Sequence, residues 1–277
     1  MSDKPNPTRV LTATTLKKKN VPDLDIRMVV DPVEIDKLAS VAKSEFEKIF
    51  YTHHGRKINK WHHYLSLYQR YFQPIRNKKE RSGGRVRFLE IGVWQGGSLE
   101  IWKNFFGENS TIFGIDIDES CLDRVPSGCN VRIGSQSDPK FLAKTIEEMG
   151  GVDIILDDAS HFSVDQIASF RCLFPKLAPG GVYACEDMSG SYRPRYDGGH
   201  LKEGTFVEFL KKLMDDMHGW VSDEIKITAP ECNLERMCTG IHLHDGISFI
   251  EKRNKGELFK VIVDRKHPSK ANDSVRE

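Results

Sequence analysis

The sequence predicts an α/β protein built on a Rossmann-like, doubly wound, mostly parallel seven-stranded sheet, with a C-terminal antiparallel hairpin and an N-terminal helical extension. Strand-length apolar runs alternate with helical patterns from residue 86 to residue 185, the pattern of parallel strands joined by helices. Two of the runs end in acids. Residues 152–156 lead into Asp157-Asp158-Ala159-Ser160-His161, and residues 181–185 lead into Glu186-Asp187. Asp245-Gly246, between two extended runs, marks a closing hairpin.

Residues 1–30 carry Pro5, Pro7 and Pro22 and read as an arm that orders against a partner subunit. A loose helical stripe follows at Val33, Leu38, Val41, Ala42, Phe46 and Ile49. A clearer aromatic stripe, from Trp61 and Tyr64 through Tyr68 to Phe72, is expected to end at Pro74, which lacks an amide hydrogen. Such a stripe suits a core or a subunit interface better than a ligand wall. Residues 76–84 are charged and end in glycine, so they predict a linker. The expected division is 1–82 for the arm and helical extension, 83–252 for the sheet domain and 253–277 for a tail.

Within the domain, parallel strands are expected at 86–91, 111–116, 130–134, 152–157 and 181–185. A helix over 98–106 follows a glycine turn. Asp138 before Pro139 starts another, which Gly150 ends. Ser163 with Gln166 has the capping-box form for a helix to about Leu177. Residues 188–204 form a glycine- and arginine-rich loop before a helix near 205–218. Such a loop after an acid-ended strand suits a lid, with Tyr192, Arg195 and Tyr196 as acceptor contacts.

A formal net charge of +1 gives no global attraction to nucleic acid or membrane. No apolar run is long enough to span a bilayer, and the polar first residues carry no secretory signal. Six scattered cysteines fit a reducing cytoplasm. Cys232, Cys238, His242 and His244 match no standard zinc spacing, so zinc is not expected there.

Parallel sheets place their sites outside the carboxyl ends of the strands. If the two acid-ended strands are neighbours, Asp157, Asp158, Glu186, Asp187 and His161 share one crevice. That concentration of anionic oxygen is costly without a cation. Upstream, residues 89–98 read Leu-Glu-Ile-Gly-Val-Trp-Gln-Gly-Gly-Ser. Gly92 and Gly96 would let backbone approach a ligand, with Ser98 opening the helix; the alternative is a turn that serves only packing. The spacing is not that of a dinucleotide fingerprint. Glu90 is awkward beside a pyrophosphate and suits a cationic ligand, while Asp116, ending the second strand, suits ribose hydroxyls. A ribose-bearing cation without phosphates describes S-adenosylmethionine.

Residues 89–92 with Gly114-Ile115-Asp116-Ile117-Asp118 resemble the class I S-adenosylmethionine-dependent methyltransferases. The run from Asp157 to His161, the Glu186-Asp187 pair, Ser191-Tyr192 and Tyr196-Asp197-Gly198-Gly199 resemble, more narrowly, the magnesium-dependent sugar O-methyltransferases of the mycinamicin and rhamnosyl type. The resemblance spans roughly residues 50–252. It implies a magnesium ion held by Asp158, Glu186 and Asp187, with His161 as the base. Ala159 stands where that family has glycine, and is tolerated unless the backbone needs positive φ. Ser135 stands where the family has the aspartate that contacts adenine, and Gln136 is the residue placed to compensate.

A metal-bound hydroxyl has a lowered pKa and an imposed orientation, and a histidine titrating near neutrality suits the proton. The alternative for His161 is a structural cap on the next helix. For Asp157 it is a bond to backbone in place of the cofactor. The expected activity is O-methylation of a sugar hydroxyl on a glycosylated natural product or glycan. A catechol-like or other small diol is a second acceptor class, and an inert cofactor-binding scaffold is the reading from another class. The acidic set argues against the scaffold, which has no need of it. A homo-oligomer formed through the N-terminal extension is expected.

Overall fold

The computed structural model describes residues 28–263. Seven strands form one sheet in the order β3-β2-β1-β4-β5-β7-β6. They are β1 (Arg87–Ile91), β2 (Thr111–Asp116), β3 (Cys129–Ile133), β4 (Val152–Asp157), β5 (Leu177–Cys185), β6 (Cys238–Leu243) and β7 (Ser248–Lys252). The first five run parallel, and β7 inserts antiparallel between β5 and β6. The chain winds outward from β1 to β3, then returns to place β4 on the other side of β1. The crevice beyond β1 and β4 is therefore the switch point where such sheets bind ligands.

Helices cover both faces. On one lie α2 (Glu45–Tyr51), α3 (Leu65–Arg81) and α4 (Gly97–Phe106), and Phe46, Tyr68, Phe72 and Trp102 pack there on Phe88, Ile154 and Phe249. On the other lie α5 (Pro139–Met149), α6 (Ser163–Leu173) and α7 (Phe206–Met217), with Phe170, Phe206 and Leu213 packed among Leu89, Ile155 and Tyr183. Burying each such side chain contributes about 1.5–3 kcal/mol. No helix among the described residues is long and apolar enough to cross a membrane.

The helical extension differs from its expected form. The stripe over 33–50 is two helices, α1 (Pro32–Ser40) and α2, because Ser44 caps the second. The Glu47 amide donates to Ser44 Oγ at 3.1 Å, and the Ser44 amide donates to Glu47 Oε2 at 3.0 Å. Helix α3 does not stop at Pro74 but runs to Arg81, through the expected linker. The ring removes one helix hydrogen bond, while Ile75 beyond it is buried and Arg76 donates to the Phe105 carbonyl at 2.7 Å. Ser163 is not the cap of α6: Phe162 holds that position, and Ser163 Oγ is buried without a partner. That helix ends at Leu173 and a short 3₁₀ turn (Phe174–Lys176) follows. The expected arm falls largely outside the described residues, as does the tail beyond residue 263.

Candidate active site

The turn after β1 borders a cavity of about 380 Å³ lined by Gly92, Val93, Ser98, Asp116, Gln136 and Asp158, among others. Gly92 has φ +98°, and a Cβ there would lie 2.4 Å from the Asp158 carbonyl. Only glycine lets the two strand ends come so close. Gly96 also has positive φ, but it packs against the Arg124 carbonyl and does not line the cavity; Gly97 does, with the backbone of Arg56 and Lys57 against it. Gly96 is therefore a packing residue. Asp116 Oδ2 accepts from the Val93 and Trp94 amides at 2.8 and 3.1 Å, and Oδ1 from the Asp118 amide at 3.0 Å. Burial alone would raise its pKa; those amides outweigh it and hold the carboxyl below its usual range. Ser135 and Gln136 line the same cavity, and Gln136 Oε1 accepts from the Ser160 amide at 3.2 Å.

Strand parity distributes the acids. Side chains alternate across a sheet. Phe88 faces α3 and α4, so Glu90 does too; Ile154 and Leu156 face the same way, and so does Asp158 beyond them; Val182 and Ala184 are followed by Glu186. All three acids meet one ammonium. Lys60 Nζ lies 2.5 Å from Asp158 Oδ2, 3.0 Å from Glu186 Oε1 and 3.6 Å from Glu90 Oε1. Burial opposes this ammonium, but the three carboxylates outweigh it and hold the lysine pKa well above its usual value. The pKa of Glu186 is raised by its own burial and then by Asp158, against the pull of Lys60 and Tyr68.

Glu90 is fully buried beneath the cavity rather than in its wall. Ser98 Oγ donates to it at 2.6 Å and Trp102 Nε1 at 3.2 Å. Asp157 has the opposite parity and points to the other face. There Tyr183 donates to it at 2.8 Å and Gln136 at 3.2 Å. Burial pushes its pKa up to about 7, against those donors. Neither residue reaches the cavity, which corrects the expectation of direct cofactor contact.

Glu186 and Asp187 escape the alternation that would separate them, because β5 has ended and Asp187 takes φ +50°. The Asp187 carboxylate accepts from Trp61 Nε1 at 2.9 Å and from Tyr64 OH at 3.4 Å, and lies 3.6 Å from His161 Nε2. His161 itself has φ +58°, a position that costs a non-glycine residue energy and is found at functional sites. The positive φ falls on His161 and not on Ala159, so alanine is accommodated. Ligand atoms of Asp158, His161 and Asp187 lie within 4.8 Å of one another, the one such group among the described residues. The imidazole Nδ1 is buried without a partner. The carboxylate oxygens of Asp158 and Asp187 suit a hard divalent cation, and the imidazole beside them is left for proton transfer. No such group forms around Cys232, Cys238, His242 and His244.

The loop after Asp187 folds into two 3₁₀ turns, Met188–Tyr192 and Pro194–Tyr196. The Tyr196 ring meets the His161 ring edge-on at 5.9 Å, and the Arg195 guanidinium lies over Tyr196 at 4.8 Å. Tyr192 is exposed. The sequence reading missed Lys60 and treated Trp61, Tyr64 and Tyr68 as packing. Tyr64 and Tyr68 are indeed buried, but the Tyr68 hydroxyl donates to Glu186 at 2.6 Å. Strand parity was the available signal for the acids. Nothing in the spacing points to Lys60.

Strand order, the glycine turn after β1 and the acid ending β2 define the fold of the class I methyltransferases. Within that class the chain is similar to sugar O-methyltransferases. It is 34% identical over 205 residues, 70% of its own length, to 8-demethyl-8-alpha-L-rhamnosyl tetracenomycin-C 2'-O-methyltransferase of Streptomyces olivaceus, covering 52% of that protein. It is 34% identical over 209 residues to mycinamicin VI 2''-O-methyltransferase of Micromonospora griseorubida, covering 71% of this chain and 49% of that one. The solved MycE methyltransferase in complex with Mg, SAH and mycinamycin VI superposes with TM-score 0.61 at 30% identity, covering 82% of this chain and 57% of MycE. The chain thus spans about half the length of the curated relatives it matches. No family model matches it.

Proposed function

We propose that this chain is an S-adenosylmethionine- and magnesium-dependent O-methyltransferase acting on a sugar hydroxyl of a glycosylated natural product or glycan. The observation that carries the reading is the meeting of Asp158, His161 and Asp187 beside the cavity that Asp158 lines. The named activities of the relatives, and the magnesium and SAH in MycE, support the acceptor class and the cofactors. Asp116 would receive the ribose hydroxyls, Ser135 and Gln136 would border the adenine, and the Gly92 turn would leave room for the methionine portion. Glu90 and Asp157 support from beneath, Glu90 through Ser98 and Asp157 through Gln136.

Asp158, Glu186 and Asp187 would hold the divalent ion. Bound there, it would supply Lewis-acid activation of the acceptor hydroxyl. His161 takes the hydroxyl proton, and Asp187 orients the ring and stabilises the imidazolium. One O–C bond forms and one S–C bond breaks. Tyr192, Arg195 and Tyr196 contact the acceptor.

The catalytic unit in this reading is 83–252, completed by Trp61, Tyr64 and Tyr68 from the extension. The extension also pairs copies of the chain, a role supported by exposed Met28, Val30, Val33 and Val41. Six free cysteines support a cytoplasmic setting.

The test is methyl transfer from labelled S-adenosylmethionine to a rhamnosyl glycoside, with and without chelator. Transfer that chelator abolishes and magnesium restores is expected. Full transfer in excess chelator would refute the metal, and calorimetry showing no S-adenosylhomocysteine binding would refute the cofactor.

A further inference from the structure

Lys60 is the buried group that the proposed reaction leaves unused. Its side chain is 4% exposed, yet the residue lines the cavity with Lys57, Ile58 and Asn59. Its ammonium takes a position shared by two of the three proposed metal ligands, Asp158 and Glu186. The third, Asp187, is held apart from it by Trp61, Tyr64 and His161. Ligand atoms of Asp158 and Asp187 already lie within 4.8 Å of one another, so an ion bound by all three acids needs the Glu186 carboxylate to turn from Lys60 toward them. Magnesium demands tight octahedral oxygen geometry, and an ammonium pressed on the same oxygens repels it. The lysine stem is long and flexible, and the cavity beside it offers room.

We infer that Lys60 is an internal placeholder cation: it fills the acidic set before metal arrives, and metal entry displaces its ammonium into the cavity. The inference rests on Asp158 and Glu186 being metal ligands. The placeholder keeps buried Glu90 and Glu186 and half-buried Asp158 from standing unneutralised, so the site is preformed without metal. Its cost is a weaker apparent metal affinity, since the ion must break two ion pairs to bind.

Reductive methylation of the full chain, with each lysine quantified by mass spectrometry, reads the ammonium directly. Lys60 should resist labelling in metal-free protein and label about tenfold faster once Mn²⁺ saturates the site. In parallel, Lys60→Met should bind Mn²⁺ about tenfold more tightly than the parent by calorimetry. Lys60 still protected in Mn²⁺-saturated protein overturns the inference and leaves the metal site standing. So does Lys60→Met affinity equal to or below the parent's. Mn²⁺ that binds neither protein removes the metal site and the placeholder together. The labelling arm uses the unaltered chain, so a variant that fails to fold still leaves a decisive measurement.

Discussion

Single residues set the geometry here through conformations that few side chains accept. Gly92 combines φ +98° with an approach of 2.4 Å between a virtual Cβ and the Asp158 carbonyl. Gly92→Ala should therefore lose about 2–4 kcal/mol of stability, read by denaturant unfolding, and should weaken metal binding by shifting Asp158. His161 presents two readings that one variant separates. As the base, its replacement by alanine should lower kcat by about 10²–10⁴-fold while S-adenosylhomocysteine still binds. As structure alone, the variant should lose thermal stability and keep its turnover per folded molecule. Measuring both on one preparation decides it, and an unchanged kcat takes His161 out of the mechanism.

Among the elements, α3 does the most to join the extension to the sheet. Its buried face carries Leu65, Tyr68, Phe72 and Ile75, and its last turn adds an ion pair from Lys79 Nζ to Asp153 Oδ1 at 2.8 Å. Asp153, at the start of β4, also accepts from Arg87 of β1, at 3.0 Å from Nε and 2.8 Å from Nη2. Burial would raise the Asp153 pKa, but Arg87 and Lys79 outweigh it and hold it below the usual range. A depressed carboxylate pKa contributes stability that is present above the unfolded-state value and lost as pH falls through the folded one. Asp153→Asn should cost about 1–3 kcal/mol near pH 7, moderated because both cations are partly exposed. That deficit should shrink as the pH drops below the carboxylate range. A deficit that stays constant from pH 7 into acid would show that the charge contributes nothing.

At the scale of the whole molecule, the extension and the sheet share one core. Tyr64, Tyr68 and Phe72 from the extension pack in the same cluster as Phe88, Ile154 and Phe249 from the strands. Deleting residues 1–82 strips that face of its cover and removes Lys60 from Glu90, Asp158 and Glu186. The truncated chain should show no cooperative thermal transition and should bind hydrophobic dye. A sharp melt from residues 83–277 alone would mean that the sheet domain is self-sufficient.

The sequence by itself determined the parallel strands, the closing hairpin, the acid endings at Asp158 and Glu186-Asp187 and the glycine turn at Gly92. Each of these is written in local pattern: an apolar run, a turn pair, a residue that tolerates positive φ. Strand parity could have been read as well, and it separates Asp157 from Asp158 and buries Glu90 under the cavity. Only the tertiary structure decided that α3 survives Pro74, because burial of Ile75 and the bond from Arg76 offset the lost amide. It also decided that Lys60 sits among the acids, 98 residues before Asp158 and 126 before Glu186. A charge pairing over that separation leaves no periodicity in the chain. It exists only because the sheet's winding brings the ends of β1, β4 and β5 under one loop.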